Sequence, residues 1–268
     1  MKASLGRMKA MFMRYLYLHQ RSVSRVLELV FWPVMELVVW GFVALYIRQM
    51  VPGPVGQAIH FLISAIIFWD LFYRSQQGVT LSFIEDIWTQ NILNILISPL
   101  RLHEWLITTF VYGMFKTLLI SLILSCLAYV FYHFHIVSYL GFYLIPFVFS
   151  LLLFGWTLGV FTSGLLIRWG HSVEALIWGI PFLVQPLSAI YYPLFILPGW
   201  CQVLARALPS TYVFEGMRAV MATGKMPYTF FFISLGLNLV YFFVASMFFK
   251  LMYQSSRKSG RLGRLGLD

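Results

Sequence analysis

Apolar residues fill this chain in long runs, and most polar residues fall between them. Windows of about twenty apolar residues, the length needed to cross a bilayer core, recur at 27–47, 60–81, 105–131, 140–167, 175–190 and 228–253. The fifth window is short. From Gln185 to Gly224 the chain stays apolar, but Pro186, Pro193, Pro198 and Pro209 interrupt it, so no single straight helix runs through. Irregular backbone at membrane depth is tolerated only where protein or a water-filled cavity surrounds it. The pattern predicts an all-α integral membrane protein with six transmembrane helices and a re-entrant segment, over 191–226, before the last span.

Two amphipathic stretches accompany the spans. Over 3–24, Met8, Met11, Tyr15 and Leu18 recur at three- and four-residue spacing, interrupted by Arg7, Arg14, Arg21 and Arg25. That suits a helix lying in the membrane interface with its cations near anionic headgroups. Over 83–97, Ile84, Ile87, Trp88, Ile92 and Ile95 follow a helical pattern that Pro99 stops. Glu85, Asp86, Asn91 and Asn94 lie among them, so this helix is expected to turn an acidic, aromatic surface toward a cytoplasmic partner. A helix resting on headgroups is the other reading, and Glu85 and Asp86 disfavour it at an anionic leaflet. The fourth span carries Gly155, Gly159 and Ser163 at four-residue spacing, which lets helices approach closely without naming the partner. Residues 254–268 are Gly- and Ser-rich and read as a mobile basic tail.

Composition removes the soluble alternative: the chain is 60% hydrophobic and 10% charged, against about 25% charged in a soluble domain. The net charge of +10 does not point to nucleic acid, because its distribution follows membrane topology. Arg7, Arg14, Arg21, Arg25, Arg101, Arg168, Lys250 and Arg257 fall on one side with the basic termini, while Arg48, Arg206, Arg218 and Lys225 fall on the other. The positive-inside rule then places both termini in the cytoplasm, as an even number of spans requires. Cys126 and Cys201 form no disulfide framework.

Four charges sit away from the span ends: Glu36, Asp70, Arg74 and Lys116. Each costs about 3 kcal/mol at the bilayer centre unless paired or hydrated. Asp70 and Arg74, four apart, share one helix face and can neutralise each other, which leaves Glu36 and Lys116 as candidate partners across helices. The network either fixes helix packing or forms a proton or substrate site. No phosphate-binding loop is present: Gly224–Lys225 is followed by Met226 rather than Ser or Thr. ATP-driven work would need a separate ATPase chain. His133 and His135 are spaced as a weak metal pair in a short loop and read as solvated histidines, so no metal is expected.

The stretch Tyr191-Tyr192-Pro193, Leu197-Pro198-Gly199-Trp200, Leu208-Pro209-Ser210-Thr211-Tyr212, Glu215 to Arg218 and Gly224 resembles the signature region of type-2 ABC transporter permeases. Ser98-Pro99-Leu100-Arg101 resembles the family's motif after the second span. The resemblance extends over nearly the whole chain. It implies a homodimer of six-helix subunits in a bacterial inner membrane, powered by ABC nucleotide-binding ATPase subunits that hold ATP and Mg, with no cofactor and no catalytic residue in this chain. It makes 83–97 the coupling helix, with Glu85, Asp86, Trp88 and Asn91 facing the ATPase. It makes 3–24 the interface helix and 193–224 the re-entrant pair, with Ser210 and Thr211 suited to start its second helix and Glu215 pairing with Arg218. Tyr191, Tyr192, Pro193, Trp200, Glu215 and Arg218 are the candidate path residues for an amphipathic substrate, a lipid-linked glycan or lipid, with membrane lipid around the subunits. A hydrophobic drug or peptide is the alternative cargo, and a membrane-embedded transferase acting on lipid-linked substrates is a distant alternative.

Overall fold

A computed structural model describes residues 2–50 and 56–260. Arg261 and Arg264 of the basic tail lie outside the described residues, as does the side chain of Arg48. Among the described residues there is no strand, and the helices run α1 (Lys2–Gln20), α2 (Val23–Met50), α3 (Gly56–Trp88), α4 (Ile92–Ile97), α5 (Leu102–Tyr132), α6 (Ile136–Leu140), α7 (Leu144–Trp169), α8 (Ala175–Leu187), α9 (Gly199–Arg206), α10 (Pro209–Thr223) and α11 (Tyr228–Lys258). Four stretches, Val23–Tyr46, Leu102–Tyr132, Ile136–Val173 and Tyr228–Lys258, are long and apolar enough to cross a membrane. The chain is an all-α, multi-pass membrane protein.

α3 occupies the centre, packed against α2, α5, α7 and α8, while α7 also packs on α11 and α10. Its position explains its composition. Ser64, Ser75, Gln76, Thr80 and Ser82 are all buried, inside protein rather than against lipid, where polar side chains find partners on neighbouring helices. Ser75 donates to the Leu152 carbonyl at 2.8 Å. Thr80 and Thr162 hydroxyls meet at 2.7 Å. One apolar cluster, including Leu37, Phe68, Phe72, Leu151, Phe154 and Phe214, fills the half of the bundle next to α10. A second, including Tyr15, Phe83, Trp105, Tyr112 and Phe249, fills the half next to α1.

Close approach needs small residues at two faces of α3. A Cβ on Gly155 or Gly159 would lie 2.6 or 2.9 Å from the carbonyl oxygens of Phe72 and Gln76, so α3 is the partner of the glycine row on α7. On the other face Gly78 meets Gly113 of α5 backbone to backbone, and a Cβ on Gly78 would sit 2.5 Å from the Gly113 Cα.

Several expected boundaries shift. The 83–97 stretch is not one helix: α3 runs through Trp88, Gln90 takes a left-handed φ of 54°, and α4 begins at Ile92. α1 stops at Gln20 rather than residue 24, and α11 continues to Lys258, so 254–258 is helix rather than tail. Ser210 and Thr211 do not cap α10; Leu208 is its N-cap, with Pro209 in the first turn and no side-chain cap. Both hydroxyls turn to the end of α8 instead, Ser210 to Ser188 at 2.7 Å and Thr211 to the Leu187 carbonyl at 3.4 Å.

Gly78→Val and Gly113→Val each force α3 and α5 apart, and each is expected to destabilise the protein by about 1–3 kcal/mol. Gly179→Val, where a Cβ meets nothing within 4 Å, is the comparison. Thermal unfolding in detergent checks this, and equal melting temperatures for all three variants would contradict the close approach.

Candidate functional site

α2 lines a cavity with one stripe. Trp32, Glu36 and Trp40 are spaced by four, so they stack along a single helix face. The facing stripe of α3 supplies Tyr73, Arg74, Gln77, Leu81 and Glu85. With Lys116 and Thr117 from α5, and Trp178 and Phe182 from α8, these residues line the half-open cavity of 630 Å³. Its walls are aromatic and aliphatic, and its charges are of both signs.

Asp70 and Arg74 pair as their spacing predicts, the guanidinium Nε donating to both carboxylate oxygens at 2.8 and 2.9 Å. Glu36 and Lys116 share the cavity, but among the described residues no ion pair joins them. Lys116 turns instead to α1: its Nζ lies 3.4 Å from His19 Nε2 and 4.8 Å over the Tyr112 ring. Beside it Thr117 is fully buried with an unpartnered hydroxyl. Gln77 feels the nearby Tyr73 hydroxyl, yet neither of its amide atoms makes a well-formed hydrogen bond. The depth of the charges along the spans gives no sign of Gln77, Thr117, Trp178 and Phe182, which are neutral and reach the cavity only through packing. The four-residue spacing of Trp32, Glu36 and Trp40 was the available signal for the α2 face.

The N-terminal helix closes one end of the cavity as a latch. Arg7 and Ser4 donate to the Glu104 carboxylate at 2.5 and 2.6 Å. Arg14 donates to Asp86 at 2.5 Å, and the Tyr15 hydroxyl reaches the same carboxylate at 3.0 Å. Trp105 then donates to the Tyr15 hydroxyl at 3.0 Å. Arg25 lies 3.7 Å from Glu85. Asp86 is therefore buried under α1 rather than displayed outward, and Glu85 borders the cavity. Arg7 and Arg14 are engaged with these carboxylates, not free for headgroups. Trp88, Asn94 and Ile97 remain exposed at the α3–α4 tip, with Asn91 half-buried.

At the opposite end Arg218 gathers the loop after α8. It donates to Glu215 at 2.5 Å, to the carbonyls of Ile190 and Tyr192 at 3.1 and 2.7 Å, and to that of Ala189. Glu215 in turn accepts from the Leu194 N–H at 2.8 Å. This pair holds the loop and leaves little valence for a ligand. Tyr192 donates to the Pro186 carbonyl at 2.5 Å, Pro193 leads into the turn Leu194–Ile196, and Trp200 is exposed. Tyr191 alone of these residues touches the cavity lining, stacked on Trp40 with ring centroids 5.3 Å apart.

No family model matches the chain, and no curated protein matches it.

Asp70→Asn leaves Arg74 without its counter-ion, and is expected to destabilise the protein by about 3 kcal/mol, as when one member of a buried pair is removed. Arg74→Gln in the same chain should restore part of that loss. Melting temperatures of the two single variants and the double variant measure the coupling, and strict additivity would mean the two side chains do not act as a pair.

Burial, and then the Lys116 charge, hold the His19 ring at a pKa of about 4, down from 6.5. Docked α1 thus binds fewer protons than released α1 between those values, so docking weakens as pH falls from 6.5 toward 4 and is unaffected by this ring above 6.5. Hydrogen exchange across α1, corrected for intrinsic rates, should be faster at pH 5 than at pH 7, and His19→Gln should flatten the difference. An unchanged pH dependence in that variant would remove His19 as its source.

Proposed function

We propose that this chain is the membrane-spanning permease subunit of an ATP-driven ABC exporter of the type-2 class, which forms as a homodimer the path for an amphipathic substrate. The observation that carries the reading is the cavity itself. Mixed charge and stacked aromatic rings are gathered into one space among otherwise apolar helices, where such groups are costly without a ligand, water or partner to meet them. The signature residues from Tyr191 to Gly224 supply the class.

In this reading six helices cross a bacterial inner membrane: α2, α3, α5, the α6–α7 stretch, α8 with the loop that follows it, and α11. α3 is 33 residues long, about 50 Å at 1.5 Å per residue, and its polar side chains are covered by protein. α9 and α10, with 8 and 15 residues, are each too short to span and form the re-entrant external pair. Both termini lie in the cytoplasm with the basic residues. α1 is the interface helix, clamped to α3 and α5 by two ion pairs. The α3–α4 tip, with Trp88, Asn94 and Ile97 exposed, is the surface for the nucleotide-binding ATPase, which holds ATP and Mg. Glu85 and Asp86 serve that surface indirectly, by fixing α1 beside it. The path runs from the cavity past Trp40 and Tyr191 toward the external loop and suits a lipid or lipid-linked glycan.

Purified alone, the chain should hydrolyse no ATP. Recovered from its native membranes, it should bring a nucleotide-binding subunit whose ATP turnover rises with the permease present, and Trp88→Ala with Asn94→Ala should lower that recovery severalfold. Robust hydrolysis by the chain alone, or substrate movement with no ATPase bound, would overturn the assignment.

A further inference from the structure

We infer that the cavity holds the oxyanion head of an amphiphile, a phosphate on an apolar body, at Lys116, Thr117 and Gln77. The inference rests on reading the cavity as the substrate path and specifies what enters it. Lys116 has no carboxylate within ion-pair distance among the described residues, since its near contacts are the His19 ring and the Tyr112 face. Thr117 on the next position is completely buried with an unused hydroxyl, and Gln77, 6% exposed, has an amide without a well-formed hydrogen bond. All three line the same space. A buried polar group left unmatched costs about 1–3 kcal/mol, and here a hydroxyl and an amide without a well-formed hydrogen bond lie on the same cavity as an ammonium whose near contacts are an imidazole and a ring face rather than a carboxylate. A phosphate accepts from all three, and hydrogen bonds between charged groups are the stronger kind.

The distribution of charge places the head at this end. Around Lys116, the cations Lys116 and Arg25 balance the carboxylates Glu85 and Glu28, with Arg25 3.7 Å from Glu85. Around Glu36, two carboxylates, Glu36 and Asp70, stand against Arg74. The α5 end is thus neutral in sum, and the Glu36 end carries one net negative charge. An anion is drawn toward Lys116, and the hydroxyl-bearing or neutral part of the ligand is left for Glu36. The wall between them is apolar: Trp32, Val39 and Trp40 on α2 and Phe182 on α8. Trp32 and Val39 are largely exposed, so the cavity is open along α2, which gives an apolar body a way in from the bilayer.

The tryptophans of the wall provide the measurement. The full-length chain is placed in phosphatidylcholine bilayers without any nucleotide-binding subunit, and phosphatidate with brominated acyl chains is titrated against tryptophan fluorescence, with brominated phosphatidylcholine as the reference lipid. Phosphatidate should quench with at least a tenfold relative preference. Lys116→Gln should abolish that preference, Lys116→Arg should keep most of it, and Glu36→Gln should strengthen it severalfold. If Lys116→Gln does not fold, Thr117→Val should still lower the preference about threefold. Equal quenching by both lipids, an unchanged preference in folded Lys116→Gln, or displacement of phosphatidate by dodecyltrimethylammonium would overturn the inference. Displacement by millimolar inorganic phosphate would overturn the amphiphile and assign the site to a free anion. Because no ATPase is present, this binding can fail while the coupled ATP turnover succeeds, and the reverse.

Discussion

An ionised carboxylate or an unmatched amide in an apolar interior costs several kcal/mol unless a partner meets it, and α3 carries Asp70, Gln76, Gln77 and Asp86 along one helix. The placement of α3 at the centre answers that constraint. Its polar side chains face α5, α7 and α8 rather than lipid, and glycines on α5 and α7 let the backbones come near enough for hydroxyls to reach carbonyls. α2 then packs on the side where α3 carries Tyr73, Arg74 and Gln77, and the cavity forms between them.

The same constraint fastens the N-terminal helix. Asp86 and Glu104 sit at the ends of α3 and α5 and are almost fully buried. They can be so only because Arg14 and Arg7 come down from α1 to meet them. Buried pairs of this kind add little net stability over an apolar substitute but penalise any arrangement that separates them. The latch therefore specifies where α1 lies, and α1 in turn brings His19 against Lys116 at the edge of the cavity. α1 thus touches the end of α3 through Arg14 and Asp86 and the edge of the cavity through His19.

At the other end the loop after α8 has no regular ladder to satisfy its carbonyls, and Arg218 takes that part, drawing three of them and Glu215 together. Tyr191 is thereby held against Trp40. The loop after α8 and the cavity lining thus meet through one stacked aromatic pair.

Much of this architecture was legible in the sequence. Runs of apolar residues near Val23–Tyr46, Leu102–Tyr132 and Tyr228–Lys258 fix membrane helices by length and composition. Asp70 with Arg74, and Glu215 with Arg218, are separated by one helical turn, so their pairing follows from local geometry alone. Prolines marked where α8 ends. What the sequence could not disclose is every contact across helices. Asp86 reads as an exposed acid beside Glu85, and only packing reveals that Arg14, 72 positions away, covers it. Lys116 reads as a partner for Glu36, and only the docking of α1 shows that His19 stands beside it. Gly78 with Ser82, and Gly113 with Thr109 and Thr117, are small residues at four-residue spacing, but only packing shows that the two glycines meet. Local spacing is set by the helix repeat and can be counted along the chain. Which faces of distant helices touch depends on how all of them share the interior, and that was decided by the tertiary structure.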